Sequence, residues 1–138
     1  TETENIQLDQ LKANGEKVND PALGTPGSEL GSPFGVPPSY WLDLRGYHPA
    51  EMAAKLALPL LILQGERDYQ VTLVDFAGWK TALRGLPSAT LKTYPKLNHL
   101  FMEGEGKSAP EEYERPGHVS SEVIQDVASW ILKQGHHP

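Results

Sequence analysis

Two residues that can move a proton, Asp68 and His99, each follow an apolar stretch of the chain. Asp68 closes the segment Leu58-Pro-Leu-Leu-Ile-Leu-Gln-Gly-Glu-Arg-Asp68, and His99 follows Asn98 at the end of a second apolar stretch. A carboxylate that accepts the Nδ1–H of an imidazole fixes the tautomer of the ring and stabilises the imidazolium, which leaves Nε2 free to take a proton from a nucleophile. The pair is therefore a candidate acid and base, which a serine would complete as a triad.

Each of the two residues alone also fits a purely structural role. Asp68 fits a turn or cap residue ahead of a helix, and His99 fits a histidine on a surface loop. Their order along the chain, and their common position after apolar stretches, favour the triad over two separate structural roles.

The elements that must position this pair are predicted to be a strand, a helix and a second strand. The run Leu60–Leu63 is apolar without alternation, which predicts a strand covered on both faces in a parallel sheet. A helix capped by Thr72, with Asp75 in its first turn, should follow and end near Gly85, and residues 89–94 predict the second strand. The carboxyl ends of parallel strands share one edge of the sheet, where ligands bind in open α/β sheets. Both candidate residues should therefore lie at that edge.

The first 47 residues carry weaker signals. Residues 5–19 predict a weak amphipathic helix or a frayed segment, and residues 20–38 are rich in proline and glycine, which is typical of a linker or an excursion. Residues 39–47 hold three aromatic side chains and predict a short helical turn that begins at a possible Ser39 N-cap. The alternative for these aromatic residues is a ligand-binding platform.

Two further helices are predicted in the rest of the chain. One should begin at Pro49, because proline is favoured at the first helical position, and one should begin at Ser120 after a polar segment at 102–118. The last helix carries an apolar stripe at helical spacing: Val123, Ile124, Val127, Trp130 and Ile131.

Composition narrows the classes of partner and location. The chain of 138 residues carries a formal charge of −6 and no run of Lys or Arg, so nucleic-acid binding and anionic-membrane binding have little support. No apolar run is long enough to span a bilayer, and the Thr-Glu-Thr-Glu-Asn start lacks the basic and apolar regions of a signal peptide. The absence of cysteine excludes disulfides, thiolate metal sites and a cysteine nucleophile, and it suits a cytoplasmic protein.

From about Ser39 to Lys133 the sequence resembles the C-terminal part of a serine α/β-hydrolase, of the bacterial dienelactone-hydrolase-like and prolyl-oligopeptidase-like esterase type. The resemblance rests on four segments: Ser39-Tyr-Trp-Leu-Asp-Leu-Arg, Leu61-Ile-Leu-Gln-Gly-Glu-Arg-Asp-Tyr-Gln-Val-Thr72, Tyr94-Pro-Lys-Leu-Asn-His-Leu-Phe101 and Gly104-Glu-Gly-Lys-Ser.

This resemblance implies an α/β fold with a parallel β-α-β-α arrangement and flanking helices. It assigns the triad acid to Asp68 and the triad histidine to His99, and it makes a small ester the substrate. Residues 1–38 would be a lid or cap segment and linker, and residues 39–138 would be the C-terminal part of the hydrolase domain. We expect no cofactor and no metal ion in the site.

The nucleophile of this family is missing from the chain. It should lie in a Gly-x-Ser-x-Gly elbow before the acid, but Ser28 and Ser32 do not fit that motif and lie in a proline-rich context. The chain therefore looks like a C-terminal fragment with two triad members of three, and alone it should be inactive. Its exposed sheet edge should lead to self-association, strand exchange or pairing with an N-terminal half. The alternative is a non-catalytic binding or oligomerisation domain with the same fold.

The remaining candidates each have a structural alternative. Tyr69 can contact substrate or pack beside the strand end, and Glu66 can pair with Arg67 or lie in a solvated turn. His118 can act as a second base or serve as a cap or surface residue, and His136-His137 can bind metal or form a disordered tail. The acidic cluster can form a divalent-ion site or lie in a solvated loop; it consists of Glu103, Glu105, Glu111, Glu112 and Glu114.

Overall fold

Residues 1–135 are described by a computed structural model of the chain, and they form two compact units. The first unit is Thr1–His48, and the second begins at Pro49. The predicted boundary between residues 38 and 39 therefore falls inside the first unit. The predicted lid role of residues 1–38 stays a prediction.

The first unit consists of two helices and a short 3-10 turn. Helix α1 spans Glu2–Asn19, the turn spans Pro33–Gly35, and helix α2 spans Pro38–Arg45. Helix α1 begins earlier than the predicted residue 5 because Thr1 and Glu4 form a capping box. None of its residues is buried, as expected for a weakly amphipathic segment.

Helix α2 confirms the predicted helical turn but corrects its start. The N-cap position is Pro37 and has no side-chain cap, so the predicted Ser39 cap is wrong; proline at the first helical position needs no N–H partner. The Arg45 guanidinium donates to the carbonyl oxygens of Val18 and Asp20. These bonds tie α2 to the C-terminal end of α1, which explains why the first unit extends past residue 38.

The described part of the second unit contains a parallel strand pair, three α-helices and a 3-10 helix at Pro110–Glu114. Its elements are helix α3 (Pro49–Ala54), strand β1 (Leu60–Gly65), helix α4 (Leu73–Ala82), strand β2 (Ala89–Tyr94) and helix α5 (Ser121–Gln134). Strands β1 and β2 run parallel, with Leu60 opposite Ala89 and Gly65 opposite Tyr94. The prediction of two parallel strands joined through a helix is therefore confirmed, and the fold is a mixed arrangement of helices and a small parallel sheet.

Helix α4 begins as its sequence predicts. The Thr72 hydroxyl accepts from the Val74 N–H at 3.2 Å, and the Asp75 carboxylate accepts from the Thr72 N–H at 2.8 Å. This reciprocal cap fixes the point at which the chain leaves the acid loop (residues 66–72) and becomes helical.

The prediction that β1 is covered on both faces is wrong for the described part of the chain. Residues Leu60–Leu63 are all only partly buried. The sheet of residues 1–135 has two strands, so β1 is paired along one edge alone. A strand with one paired edge keeps its second edge and part of its apolar surface exposed.

The core of the second unit lies between the end of β2 and α5. Tyr94, Leu97 and Val123 are buried, and Leu63, Phe101 and Val127 pack against them. The phenol of Tyr94 also donates to Asp126 at 2.7 Å, which joins β2 to α5. Burial, followed by the hydrogen bond to Asp126, raises the pKa of Tyr94 to about 12.

The apolar stripe predicted for α5 is only partly covered. Val123 is buried, whereas Ile124 and Ile131 are 58% and 56% exposed. The helix therefore presents apolar surface that the described residues do not cover. None of the helices in residues 1–135 has the length and apolar character that a membrane crossing requires.

Candidate active site

Asp68 and His99 are hydrogen-bonded at the carboxyl ends of the two parallel strands. The Nδ1 atom of His99 lies 2.7 Å from Oδ2 of Asp68. The Asp68 side chain is only 5% exposed, whereas the His99 side chain is 39% exposed. With the carboxylate on Nδ1, the other ring nitrogen, Nε2, is the one that can exchange a proton with a third group.

Backbone donors of the acid loop hold the second oxygen of Asp68. Oδ1 accepts from the N–H groups of Gln70 at 2.8 Å and Val71 at 3.0 Å. The buried side-chain amide of Gln64 donates to the Val71 carbonyl at 2.8 Å and approaches Oδ2 of Asp68 at 3.4 Å. The carboxylate therefore does act as a turn residue, and it uses its free oxygen for His99 at the same time.

These contacts keep the Asp68 carboxyl ionised. Burial is the largest single influence and acts to raise the pKa, but the Val71 N–H, His99 and the Gln70 N–H together lower the pKa below its usual value. Since the net pKa lies below the ordinary Asp value, Asp68 is an anion at neutral pH. The anionic carboxylate can accept the Nδ1–H of His99 and so hold the ring in one orientation.

Asn98 organises the histidine loop, which comprises residues 97–103. Its side chain is almost fully buried, and Oδ1 accepts from the N–H groups of Leu100 at 3.0 Å and Met102 at 3.1 Å. Its backbone N–H donates to the Met102 carbonyl at 3.1 Å. The loop is thus closed on Asn98, and Phe101 adopts a positive φ of 55° within it. His99 is displayed from this closed loop.

Glycine is required where the two loops meet. A Cβ atom on Gly65 would collide with the backbone carbonyls of Leu97 and Asn98. The strand that leads to Asp68 therefore touches the backbone that leads to His99, which only a residue without a side chain allows.

Arg67 and Glu66 do not pair with each other. Glu66 instead accepts from the Thr93 hydroxyl at 2.7 Å, and the buried Arg67 forms an ion pair with Glu112. The prediction of a Glu66–Arg67 pair is therefore wrong, and so is that of a solvated turn at Arg67. A solvated loop is also wrong for Glu112, because its carboxylate is largely covered by Arg67, Asn98 and Ser108.

Tyr69 lies beside the candidate acid and packs against another aromatic ring. Its ring stacks on Tyr113 with centroids 5.9 Å apart and an interplanar angle of 19°. It also lines a cleft of about 750 Å³ with Asp68 and the residues 106–110 segment. Tyr69 therefore packs against Tyr113, and its contact with substrate stays a prediction.

The other histidine candidates are His118 and the His136-His137 pair. His118 is exposed on the segment that precedes α5. The predicted metal role of His136-His137 concerns residues that lie outside the described part of the chain. Within residues 1–135, no group of three or more His, Asp or Glu side chains is arranged to hold a metal ion.

The two buried serine hydroxyls of the second unit are hydrogen-bonded to glutamates. Ser108 Oγ lies 3.2 Å from Glu112, and Ser120 Oγ lies 3.2 Å from Glu103. The sequence contains no Gly-x-Ser-x-Gly segment. The chain therefore brings together a candidate acid, Asp68, and a candidate base, His99, without the nucleophile motif.

Sequence reasoning did not predict the observed roles of four side chains of this site: Gln64, Arg67, Asn98 and Glu112. Three of them adjoin the predicted segments, and their position next to the candidate acid, the candidate base or the strand end was the available signal. Glu112 had no such signal, because its role depends on a contact with Arg67, 45 residues earlier in the chain.

Comparison with known proteins gives one informative similarity. Over 100 residues, the chain is 43% identical to esterase EstD of Thermotoga maritima, and the match covers 72% of the chain but 24% of the relative. The chain thus spans about a quarter of the length of the curated relative it matches. No family model and no solved structure matches the chain. Through most of its length, the chain is a homologue of part of a bacterial esterase.

Proposed function

We propose that this chain supplies the acid, Asp68, and the histidine, His99, of a Ser-Asp-His triad in a carboxylic-ester hydrolase. The observation that carries the proposal is the 2.7 Å hydrogen bond between Asp68 Oδ2 and His99 Nδ1 at the ends of two parallel strands. In such a triad, the histidine takes the proton of the serine as the hydroxyl attacks the ester carbonyl, and then delivers it to the leaving alcohol.

The finer assignment is to the dienelactone-hydrolase-like serine α/β-hydrolases. Its support is the Gly65-Glu-Arg-Asp segment after the first strand and the Asn98-His-Leu-Phe segment after the second. The similarity to an esterase over 100 residues supports the same reaction class. In this proposal, a segment outside the chain provides the serine and the donors that stabilise the oxyanion, since both come from earlier elements of such hydrolases.

The proposal is tested by comparing the chain alone with a chimera. In the chimera, the 100 residues that match esterase EstD replace the corresponding part of that enzyme. We expect the purified 138-residue chain to hydrolyse a p-nitrophenyl ester no faster than the background reaction, because its histidine has no alcohol to activate. We expect the chimera to hydrolyse the ester with saturation kinetics.

Two outcomes would contradict the proposal. A correctly folded but inactive chimera would favour the alternative of a non-catalytic binding or oligomerisation domain. Turnover by the 138-residue chain that His99→Ala abolishes would show that the chain carries its own nucleophile.

We also propose that the second unit associates through its uncovered surfaces, with a second copy or with a nucleophile-bearing segment. Strand β1 has one unpaired edge in the described part of the chain, and Ile124 and Ile131 on α5 are more than half exposed. These two isoleucines are seven positions apart, so they share one face of the helix. Exposed strand edges and apolar patches are the usual starting points of association.

Sedimentation of the 138-residue chain tests the self-association. We expect dimers or larger species at tens of micromolar, and the double substitution Ile124→Lys and Ile131→Lys should raise the dissociation constant by about tenfold or more. The matched control places the same charges at Gln125 and Ser129, which are exposed polar positions of the same helix. A compact monomer in the unsubstituted chain, or equal effects of the two double variants, would refute this expectation.

A further inference from the structure

Arg67, the residue before the candidate acid, is held by four acceptors. Its Nε donates to the Gly106 carbonyl at 2.8 Å, and its Nη2 donates to the Glu105 carbonyl at 3.2 Å and to the Glu112 carboxylate. Its Nη1 lies 3.4 Å from the Lys96 carbonyl. Since the side chain is only 6% exposed, these acceptors replace nearly all the water that a guanidinium would otherwise bind.

Glu112 carries the contact onward to the residue before the candidate histidine. While Oε1 accepts from Arg67, Oε2 accepts from the Asn98 side-chain amide at 3.1 Å and from the Ser108 hydroxyl at 3.2 Å. The Arg67 guanidinium, followed by the Asn98 amide, lowers the pKa of Glu112 below its usual value, although burial opposes this. The carboxylate is therefore an anion whose two oxygens face donors from two different loops.

The packing around Arg67 leaves little freedom for these groups. A Cβ atom on Gly104 would collide with the guanidinium, so the 104–106 backbone lies directly against it. The Arg67 N–H also donates to the Leu97 carbonyl at 3.0 Å, which links the acid loop to the start of the histidine loop. A planar, buried guanidinium with fixed acceptors has one orientation, and it therefore fixes the positions of the groups to which it donates.

We propose that Arg67, Glu112 and Asn98, here called the anchoring network, are positioning residues that set the distance between Asp68 and His99. The network ties the backbone next to the acid to the backbone next to the histidine. The inference rests on the proposed function for its catalytic meaning, since positioning matters when the pair transfers a proton. A shift of about 1 Å in such a pair is enough to lower a rate by about 100-fold.

Glu112→Gln is the substitution that breaks the network with the least change of shape. Both carboxylate oxygens accept from donors, so replacing either oxygen with an NH₂ group places a donor against a donor. The break should loosen the link between the loops while the fold is kept.

The tautomer of the His99 ring shows whether the network positions it, and its measurement needs no catalytic activity. In the unsubstituted chain, ¹⁵N NMR should show the Nδ1–H tautomer, with a downfield proton in the bond to Asp68. In Glu112→Gln, that proton signal should be lost or broadened, and the ring nitrogen shifts should move towards an average of the two tautomers. In the chimera, kcat should fall by about 10- to 100-fold with an unchanged KM.

A donor–acceptor exchange supplies the rescue. The double variant Asn98→Asp and Glu112→Gln keeps the net charge and lets the new amide donate to the new carboxylate, while the Leu100 and Met102 N–H groups keep an acceptor. It should restore the Nδ1–H signal. Glu114→Gln removes the same charge from an exposed position two residues away and should leave the signal unchanged.

Glu112→Asp is the second variant in case Glu112→Gln does not fold, because it keeps the charge and withdraws both oxygens by one methylene. Glu112→Asp should weaken the Nδ1–H signal of His99, as Glu112→Gln does. A wild-type Nδ1–H signal in either folded variant would overturn the positioning role, whatever the change in melting temperature.

The two proposals fail in different ways. An inactive unsubstituted chimera with the expected NMR changes would refute the proposed function and leave the positioning of the ring intact. An active chimera in which Glu112→Gln changes neither the tautomer nor kcat would refute the positioning role alone.

Discussion

Replacing His99 with alanine in the chimera should lower kcat for a p-nitrophenyl ester by about 10⁴- to 10⁶-fold. The methyl group cannot take the serine proton, so the hydroxyl remains a weak nucleophile. Substrate binding does not depend on the imidazole, and KM should therefore stay within about threefold of its original value. The measurement is the initial rate across a range of ester concentrations, with circular dichroism to confirm that the variant folds.

Asp68→Asn should act on the same step through the tautomer. An amide in place of the carboxylate offers an NH₂ group or a neutral oxygen to Nδ1, so it no longer stabilises the imidazolium, and it can hold the ring in the wrong tautomer. We expect a fall in kcat of about 10⁴-fold, and the double variant should be scarcely slower than His99→Ala because the two residues act as a unit.

His118→Ala is the matched control for His99→Ala. His118 is exposed and belongs to the same unit, and it was the other candidate base. It should keep kcat within about twofold of the unsubstituted chimera. If His118→Ala lost activity while His99→Ala kept more than a tenth of it, the assignment of the base to His99 would be wrong.

The strands and the helix between them could be predicted because their signals are local. An unbroken apolar run specifies β1, the Thr72–Asp75 capping pair specifies the start of α4, and the Thr- and Tyr-containing segment 89–94 specifies β2, all without reference to the rest of the chain. Parallel pairing then follows from the helical connection, and it brings Asp68 and His99 to one edge of the sheet.

The burial of β1 could not be predicted in the same way. An apolar run shows that a strand is suited to a covered position, but covering requires other elements, and the described residues provide one neighbouring strand. The partial burial of Leu60–Leu63 is consistent with this single neighbouring strand.

The anchoring network was hidden for a different reason. Arg67 and Glu112 are 45 residues apart, and charged residues in a polar loop are usually solvated. Their pairing depends on how the 104–112 segment folds back against the acid loop. Neither a propensity nor a spacing rule describes that contact, and the requirement for glycine at position 104 becomes visible only with the guanidinium in place.

Gly65→Ala should lower the free energy of unfolding of the second unit by about 3 kcal/mol. The added methyl group would overlap the backbone carbonyls of Leu97 and Asn98. Backbone atoms cannot rotate away as a flexible side chain can, so the strand end or the histidine loop must move. Because those carbonyls precede His99 directly, the same shift should lengthen the Asp68–His99 contact and weaken the Nδ1–H signal of His99.

Gly78→Ala provides the matched control within the same unit. Gly78 lies inside helix α4, is exposed, and would place its new Cβ in open space. Since alanine is favoured over glycine in a helix interior, this variant should be more stable by up to about 1 kcal/mol. Urea unfolding followed by the fluorescence of Trp79 and Trp130, with Trp41 replaced by phenylalanine throughout, measures the second unit separately. Equal stability of the two glycine variants would contradict the close approach of the acid-bearing strand to the histidine loop, and with it the geometry on which the proposed proton transfer depends.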